Sequence, residues 1–318
     1  RANATDKTDY GPLFTWVVDI LPFIDNQELY NSWDRTRLYW NLNPNNGNNP
    51  SNFTLSQTDI GILRCPEDLT VAQGQGNLSY VVNGGFARWF YFPTWGWTGD
   101  PITGGANNAT GTDWSGSANQ PIDMIIAKKT AVMFLGTYTG NMPWDFKMNS
   151  SGIVDGSSTT VLATENVMAG FSQWDATLLG TAPAGNVGMN WSAPHPNWMM
   201  FVGSDNICGV NGNCTTTGLA PFTDPNSNKQ VDGPGWQFAN LKSTNEYLNV
   251  GLNVNNEGHS PYPNSYHSGG MNVLFCDGTV RFIADTIDGT VWAKVLTPQG
   301  SKLPPAYKQL PVNMDAIE

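Results

Sequence analysis

The residues that could carry acid–base or metal chemistry are few in this chain of 318 residues. It contains three histidines, and none has the His-Glu-x-x-His or His-x-His spacing of common zinc sites. Nine residues separate His267 from Asp277, but the segment between them has the pattern of a strand, which would hold the two side chains about 20 Å apart. We therefore expect Asp277 to form a turn, and His267 to be a hydrogen-bonded residue before the bend at Gly269-Gly270.

A second candidate is a loop whose oxygen-bearing side chains recur at alternate positions, as in many calcium-binding loops. Its residues are Asp224, Asn226, Asn228 and Asp232. Lys229 occupies the place of the glycine in an EF-hand loop, and no glutamate lies at the loop's last ligand position. An Asx-rich turn is therefore the stronger interpretation. Binding of calcium (Ca²⁺), the one cofactor that the sequence suggests, is the alternative.

The even number of cysteines, the low lysine content and the abundant asparagine and threonine indicate an oxidising compartment. Cys208 and Cys214 close a short Gly/Asn loop whose ends can meet, so we predict a disulfide between them. Cys65 and Cys276 remain: either they pair with each other, or Cys65 pairs with a residue outside this chain. Asn-X-Ser/Thr sequons, which are candidate glycosylation sites but no more frequent than chance allows, lie at Asn3, Asn52, Asn77, Asn108, Asn149, Asn190 and Asn213.

Residues 86–97 are unusually rich in aromatic side chains, among them Trp89, Tyr91, Trp95 and Trp97. Such a cluster favours a core or a subunit interface, where tryptophan and tyrosine are enriched, and a glycan-stacking platform is the alternative. The chain has no nucleophile elbow and no phosphate-binding loop, and its 26 scattered acids carry no information about catalysis without a cleft. The sequence thus contains no convincing active site.

Composition and charge exclude several classes of protein. The net charge is −11 with only 15 lysines and arginines, none of them clustered, which argues against a nucleic-acid partner and against an anionic membrane surface. No apolar run is long enough to span a bilayer. A hydrophobic content of 40% argues against disorder. Arg1 is not a natural start, and we expect a processed or trimmed product.

The elements that must position these residues can be placed along the chain. Residues 13–34 contain two short helical patterns separated by Pro22. Apolar segments predict strands at 78–82, 125–136 and 159–164, and a helix at 290–296. Residues 99–120 and 168–262 have the composition of long loops.

The clearest local signal is a hairpin at 271–283. Asp277-Gly278 lies between two apolar runs, and this dipeptide is typical of a two-residue type I′ turn because both positions need a positive φ. Such a turn pairs Phe275 with Val280 and Val273 with Phe282. We therefore expect these four side chains to form one apolar face.

Five segments, in this order along the chain, resemble those of a known bacterial family. Residues 266–283 match its His-X9-Asp-Gly segment, and four earlier segments match further hallmarks: 20–31, 63–68, 79–84 and 153–165. In these segments the chain is similar to the prepilin-processed proteins that carry the domain of unknown function DUF1559. The residues of the family motifs are Cys65, Pro66, Asp155, Gly156, Glu165, His267, Gly269, Gly270, Asp277 and Gly278. We expect structural roles for them, because the family supplies a location and a scaffold but no reaction.

The resemblance implies an exported, pseudopilin-like protein. We expect a single α+β domain over residues 1–318, with an antiparallel β-sheet core of pilin type, short N-terminal helices and long decorating loops. The loop-rich insertions are expected at about 86–150 and 168–262. The expected role is structural: a subunit of a cell-surface or extracellular filament that self-associates or binds other pilus-like subunits. A surface carbohydrate-binding module is the alternative, and an enzyme is the least favoured class.

Overall fold

The structure is a computed structural model. It describes residues 14–37, 44–45, 49–71, 74, 76–86, 126, 128–134, 146–167, 169, 190–192, 199–204, 207, 223, 226–227, 229–233, 235–244, 246–250, 262–313, 315 and 317.

Short helices surround a sheet, as the sequence predicts. Four α-helices lie wholly within the described residues, namely α1 (Trp16–Ile20), α2 (Gln27–Ser32), α3 (Asn52–Ser56) and α4 (Gly289–Leu296). Single 3-10 turns lie at Leu21–Phe23, Gly61–Leu63, Ser150–Gly152, Ser157–Thr159, Trp236–Asn240, Lys242–Thr244, Gly300–Lys302 and Pro305–Tyr307. The predicted break at Pro22 is confirmed, since this residue lies in the 3-10 turn between α1 and α2. The predicted C-terminal helix is also confirmed as α4, whose first amides are capped by the carboxylate of Asp288.

The sheet has five strands in the order β3-β1-β2-β4-β5. Their bounds are β1 Tyr80–Asn83, β2 Val161–Glu165, β3 Met200–Phe201, β4 Gly270–Phe275 and β5 Val280–Ala284. The α+β class is therefore confirmed. The expectation of a purely antiparallel sheet is wrong, because β3 lies parallel to β1. The long connection between these two strands leaves room for the crossover that parallel pairing needs.

The predicted strand at 125–136 is wrong. Ile126 and residues 128–130 are helical, and the N–H groups of Val132 and Met133 then donate to the carbonyl oxygen of Asn83 (3.3 and 2.9 Å). A short apolar run fits a buried helix as well as a strand, so periodicity could not separate the two.

The C-terminal hairpin is present, but its register differs by one residue from the predicted one. Leu274 pairs with Val280, and the N–H of Phe275 donates to the carbonyl oxygen of Thr279 (2.8 Å). Three residues rather than two therefore form the loop. Gly278 has a φ of +87°, as expected for the residue that closes a three-residue hairpin loop.

The predicted apolar face of the hairpin is therefore also wrong. Val273 and Phe275 are fully buried, whereas Val280 and Phe282 lie on the opposite face and are 63% and 52% exposed. Arg281 takes the inner position instead, and its guanidinium carbon lies 4.8 Å from the ring centroid of Phe275. Stacking on the aromatic ring makes the arginine compatible with this position.

The apolar core covers one face of the sheet, which we call the inner face. Residues of β4 and β5 that point to it are fully buried together with side chains of α4: Met271, Val273, Phe275, Ile283, Trp292 and Leu296. Trp292 stacks on Phe201 of β3, with 6.3 Å between the ring centroids. The opposite, outer face is left for polar groups and loops.

Candidate functional site

A row of four side chains crosses the outer face of the sheet, one from each of four neighbouring strands. Tyr80 of β1 lies opposite Glu165 of β2, and Asn272 of β4 lies opposite Phe282 of β5. The pairing of β2 with β4 places Glu165 beside Asn272. Because residues in register across a sheet point to the same face, these four side chains form one line, the outer-face row.

Two loops bring a thiol and an imidazole onto this row. The Nε2 atom of His267 lies 3.0 Å from Oε1 of Glu165 and 3.4 Å from Sγ of Cys65. One ligand-type atom from each of the three residues lies within 4.8 Å of the others. We call these three residues the Cys–His–Glu cluster. Cys65 and Glu165 are buried, and the side chain of His267 is 26% exposed, so solvent reaches the cluster at the imidazole.

Glu165 ends β2 and is held by the neighbouring strand. Its Oε2 accepts a hydrogen bond from the backbone N–H of Asn272 (2.8 Å). The side-chain amide nitrogen of Asn272 lies 3.4 Å from Oε1 of Glu165 and 3.2 Å from Nε2 of His267. The buried carboxylate is therefore fixed in direction on both of its oxygens, as a buried charge must be.

His267 is fixed by the loop that leads into β4. Its backbone N–H donates to Oγ of Ser265 (3.2 Å), and that hydroxyl donates to the carbonyl oxygen of Gly270 (2.8 Å). The N–H of Ser265 donates in turn to Oδ1 of Asn249 (2.8 Å). The imidazole is thus placed by backbone contacts at the beginning of the strand.

Cys65 lies in a tight turn that precedes β1. The N–H of Asp68 donates to the carbonyl oxygen of Cys65 (3.0 Å), and the N–H of Glu67 donates to its Sγ. The carboxylate of Asp68 accepts from the hydroxyls of Thr70 and Ser79, both at 2.5 Å. These bonds tie the turn to the sheet and hold the thiol over the row.

The surroundings of the cluster disfavour additional negative charge. Burial raises the pKa of the Cys65 thiol, and the carboxylates of Glu165 and Asp68 raise it further, against the opposing N–H of Glu67. Burial and the same acidic groups raise the pKa of Tyr80 to about 12. The site therefore keeps these groups protonated, and a cation placed there would meet favourable electrostatics.

This arrangement is unlike a nucleophile–histidine–acid triad. In such a triad the nucleophile and the acid contact different nitrogens of the imidazole, which then transfers a proton. Here Cys65 and Glu165 both approach Nε2 of His267. The raised pKa of the Cys65 thiol is also the reverse of what an activated nucleophile needs. A sulfur, a nitrogen and an oxygen directed at one point are instead a set of donors that a metal ion accepts.

A comparison with known protein families shows which family the chain belongs to. The family model for proteins of unknown function, DUF1559, matches residues 2–290. The chain belongs to this family. No curated protein and no solved structure shows significant similarity to it. None of the helices within the described ranges has the length and apolar character that a membrane crossing would require.

In this DUF1559 chain, His267 and Asp277 lie at opposite ends of β4, as the sequence predicts. The carboxylate of Asp277 accepts from the N–H (2.9 Å) and the hydroxyl (2.7 Å) of Thr279, and so forms the turn. Asp155, next to Gly156, accepts from the N–H of Gly300 (2.5 Å) and from the hydroxyl of Ser301 (2.5 Å). These contacts tie the turn at Asp155 to the 3-10 turn at Gly300–Lys302, and the structural role of the motif residues stays a prediction.

The structure contradicts one of the two alternatives for the pairing of Cys65. Cys65 and Cys276 are free thiols, so the pairing between them is wrong. The reason is distance: Asn272 contacts the same imidazole as Cys65, and four strand steps to Cys276 cover about 13 Å, far beyond disulfide reach. Cys208 and Cys214 lie outside the described residues, and the disulfide between them stays a prediction.

The structure describes only part of the other predicted sites. In the calcium loop, Asp232 forms an ion pair with Lys294 (2.6 Å) and accepts from the N–H of Leu310 (2.7 Å), while Asn226 lies in an exposed turn. Calcium binding stays a prediction. The calcium-loop residues Asp224 and Asn228, the aromatic residues Trp89, Tyr91, Trp95 and Trp97, and the sequons Asn3, Asn108 and Asn213 lie outside the described residues.

Three of the sequon asparagines are buried. Asn52, Asn77 and Asn190 are at most 1% exposed. Asn52 and Asn190 donate to backbone carbonyl oxygens (2.8 and 3.0 Å). Their candidacy as glycosylation sites is wrong, because the folded chain has no room for a glycan there. Asn149 is exposed.

In the sequence, Cys65, Glu165 and His267 are separate motif residues, and their meeting in one cluster was not predicted. One signal could have shown it. Cys65 precedes β1, His267 precedes β4, and Glu165 ends β2, which runs antiparallel to both of these strands. The beginnings of β1 and β4 therefore lie beside the end of β2, so the three residues come together at the same end of these central strands.

Proposed function

We propose that this chain is an exported, pseudopilin-like structural subunit of a cell-surface or extracellular assembly, which binds further copies of itself through the edge strand β5. Membership of the DUF1559 family and the resemblance of its motifs to prepilin-processed proteins support export. The observation that carries the proposal is the open, apolar edge of the sheet at β5. The proposed role requires no catalytic step.

Strand β5 lies at the end of the strand order and, within the described residues, pairs with β4 alone. Hydrogen bonds from Phe275 to Thr279 and from Asp285 to Gly269 fix the alternation of the ladder. The backbone groups of every second residue then face away from β4, namely those of Val280, Phe282 and Ala284. Within the described residues, the N–H and C=O groups of Val280 and Phe282 and the N–H of Ala284 are open to another strand, whereas the carbonyl oxygen of Ala284 accepts from the N–H of Ile287 (3.1 Å).

Natural sheets usually protect such an edge with charged residues or proline. Strand β5 has neither on its outer face: its one charged residue, Arg281, turns inward onto Phe275, and Val280 and Phe282 remain exposed. Phe282 is the central residue of β5, so a twofold axis midway between two copies of Phe282 would pair the two β5 strands in antiparallel register. A second copy therefore fits both the backbone and the side chains of this edge.

The experiment is to measure the mass of the full-length chain by sedimentation velocity over a range of concentrations, and to examine concentrated samples by electron microscopy. We expect concentration-dependent dimers or longer assemblies. Phe282→Lys should leave only monomers, whereas Phe23→Lys, at a residue that is 86% exposed and belongs to the 3-10 turn Leu21–Phe23 rather than to the sheet, should assemble like wild type. Assembly of Phe282→Lys at wild-type concentrations, or a wild type that stays monomeric throughout, would disprove the proposal.

The alternative of a carbohydrate-binding module depends on residues 86–97, most of which lie outside the described ranges. No contact within those ranges favours it over self-association.

A further inference from the structure

We propose that Cys65, Glu165 and His267 bind one zinc ion, with Asn272 or a water molecule as the fourth ligand. This site goes beyond the structural role proposed above and does not depend on it. The three ligands come from segments far apart in sequence, 202 residues between the cysteine and the histidine and 102 between the glutamate and the histidine.

Two of the three distances between the donor atoms are close to those in a tetrahedral zinc site, and the third, between Sγ of Cys65 and the carboxylate of Glu165, is below 4.8 Å. Typical Zn–N, Zn–O and Zn–S bond lengths give separations of about 3.3 Å between nitrogen and oxygen, and about 3.6 Å between sulfur and nitrogen. The observed separations are 3.0 Å between Nε2 of His267 and Oε1 of Glu165, and 3.4 Å between Nε2 and Sγ of Cys65. An outward shift of a few tenths of an ångström would therefore admit the ion.

Hydrogen bonds alone do not satisfy all the polar groups around Nε2 of His267. Nε2 of His267 must carry a proton to donate to Glu165, but it must be unprotonated to accept from the amide of Asn272, which lies 3.2 Å away. A metal ion in place of that proton would bind the lone pair of Nε2, and the amide of Asn272 would then donate to Oε1 of Glu165 (3.4 Å) or turn to the ion. Rotation of the Asn272 amide by 180° would present its oxygen instead of its nitrogen to the ion.

The groups around the cluster are those that commonly support metal ligands. The N–H of Asn272 donates to Oε2 of Glu165 (2.8 Å) and leaves Oε1 for the ion. The N–H of Glu67 donates to Sγ of Cys65, which stabilises a thiolate. Such outer hydrogen bonds orient ligands and tune the metal.

The donor types select the metal. Calcium and magnesium prefer oxygen donors alone, whereas a thiolate with an imidazole and a carboxylate suits zinc and its neighbours in the first transition series. The two anionic ligands, Cys65 and Glu165, would balance the charge of a divalent ion. Zinc would then release the thiol proton of Cys65 to solvent on binding.

The test uses the full chain, freed of metal, in a Cys208→Ser/Cys214→Ser background that removes two of the other cysteines as sources of sulfur ligands. Cobalt(II) is the spectroscopic probe, and zinc is added to displace it. We expect one cobalt per chain, with the near-ultraviolet thiolate-to-cobalt band and the visible bands of tetrahedral coordination. Cys65→Ser and His267→Gln should each weaken binding by at least about 100-fold, whereas Cys276→Ser should bind like its parent.

A thiolate band that survives Cys65→Ser, or the absence of stoichiometric binding in the parent, would overturn the proposal. Circular dichroism of the metal-free variants separates loss of the site from loss of the fold. X-ray absorption of the zinc-loaded parent gives an answer that needs no variant at the site. One sulfur with three nitrogen or oxygen ligands supports the assignment, and any other number of sulfurs contradicts it.

Discussion

The outer face of the sheet differs between the two ends of strand β4. At its beginning, the polar side chains of Glu165, His267 and Asn272 meet under two loops and contact one another. At its end, the chain turns into β5 and leaves Val280 and Phe282 exposed. The first end has its partners within the same chain, whereas the second end presents groups that a second copy of the chain could cover. A family motif can therefore combine an internal site with an external surface.

The largest expected effect is a loss of stability at the Cys–His–Glu cluster, near the beginning of β4. Glu165→Ala removes a buried carboxylate and leaves the N–H of Asn272 and the imidazole of His267 without their acceptor. We expect a loss of about 4 kcal/mol in the free energy of unfolding, measured by urea denaturation of the metal-free chain. Glu28→Ala, at an exposed residue of α2, should change stability by less than about 0.5 kcal/mol. Equal effects of the two variants would contradict the buried cluster.

The next effect compares neighbours in β5 that point to opposite faces. Ile283→Ala removes a fully buried side chain and should cost about 3 kcal/mol of stability. Phe282→Ala, at a residue that is half exposed, should cost about 1 kcal/mol or less but should weaken self-association. Urea denaturation and sedimentation velocity measure the two quantities separately. If Phe282→Ala proved the more destabilising, the observed register would be wrong.

A smaller effect is expected in the hairpin loop. Gly278→Ala places a side chain at a φ of +87° and should cost about 1 kcal/mol, although an added Cβ would meet no atom within 4 Å. Gly61→Ala is the control, because Gly61 lacks a positive φ and its nearest atom would be 3.9 Å away. Thermal unfolding of both variants checks the prediction. A neutral Gly278→Ala would show that the three-residue loop is not strained in this way.

The smallest expected effect concerns the reactivity of two thiols, Cys65 in the Cys–His–Glu cluster and Cys276 just after β4. Burial and the charge of Asp277 raise the pKa of Cys276 to about 11, so at pH 8 about 0.1% of it is thiolate. Its alkylation by iodoacetamide, followed by mass spectrometry, should be slow and should accelerate about tenfold per pH unit up to that pKa. Added zinc should slow the alkylation of Cys65 and leave Cys276 unaffected. Protection of both thiols alike would count against a specific site.

The sequence predicts much of the fold and little of the site. The strand positions near β1, β2 and β4 and the helix α4 follow from local patterns of apolar residues. The hairpin register does not, because Asp277-Gly278 suits a two-residue and a three-residue loop, and in both cases the glycine takes a positive φ. Burial of Met271 and Ile283 in the core, a tertiary effect, distinguishes the two registers. The cluster was missed for a similar reason: its members meet only when the order of β1, β2 and β4 is known.

The outer-face row connects ion binding at the Cys–His–Glu cluster with self-association at β5. Neighbouring strands lie about 4.8 Å apart, so Phe282 lies only about 10 Å from Glu165 across the sheet. A second copy seated on β5 would therefore lie beside the partly exposed edge of His267 and restrict its access to solvent. Free subunits would exchange an ion quickly, while assembled ones would retain whatever they held when they joined. The order of the two events would then decide whether the assembled subunits hold an ion.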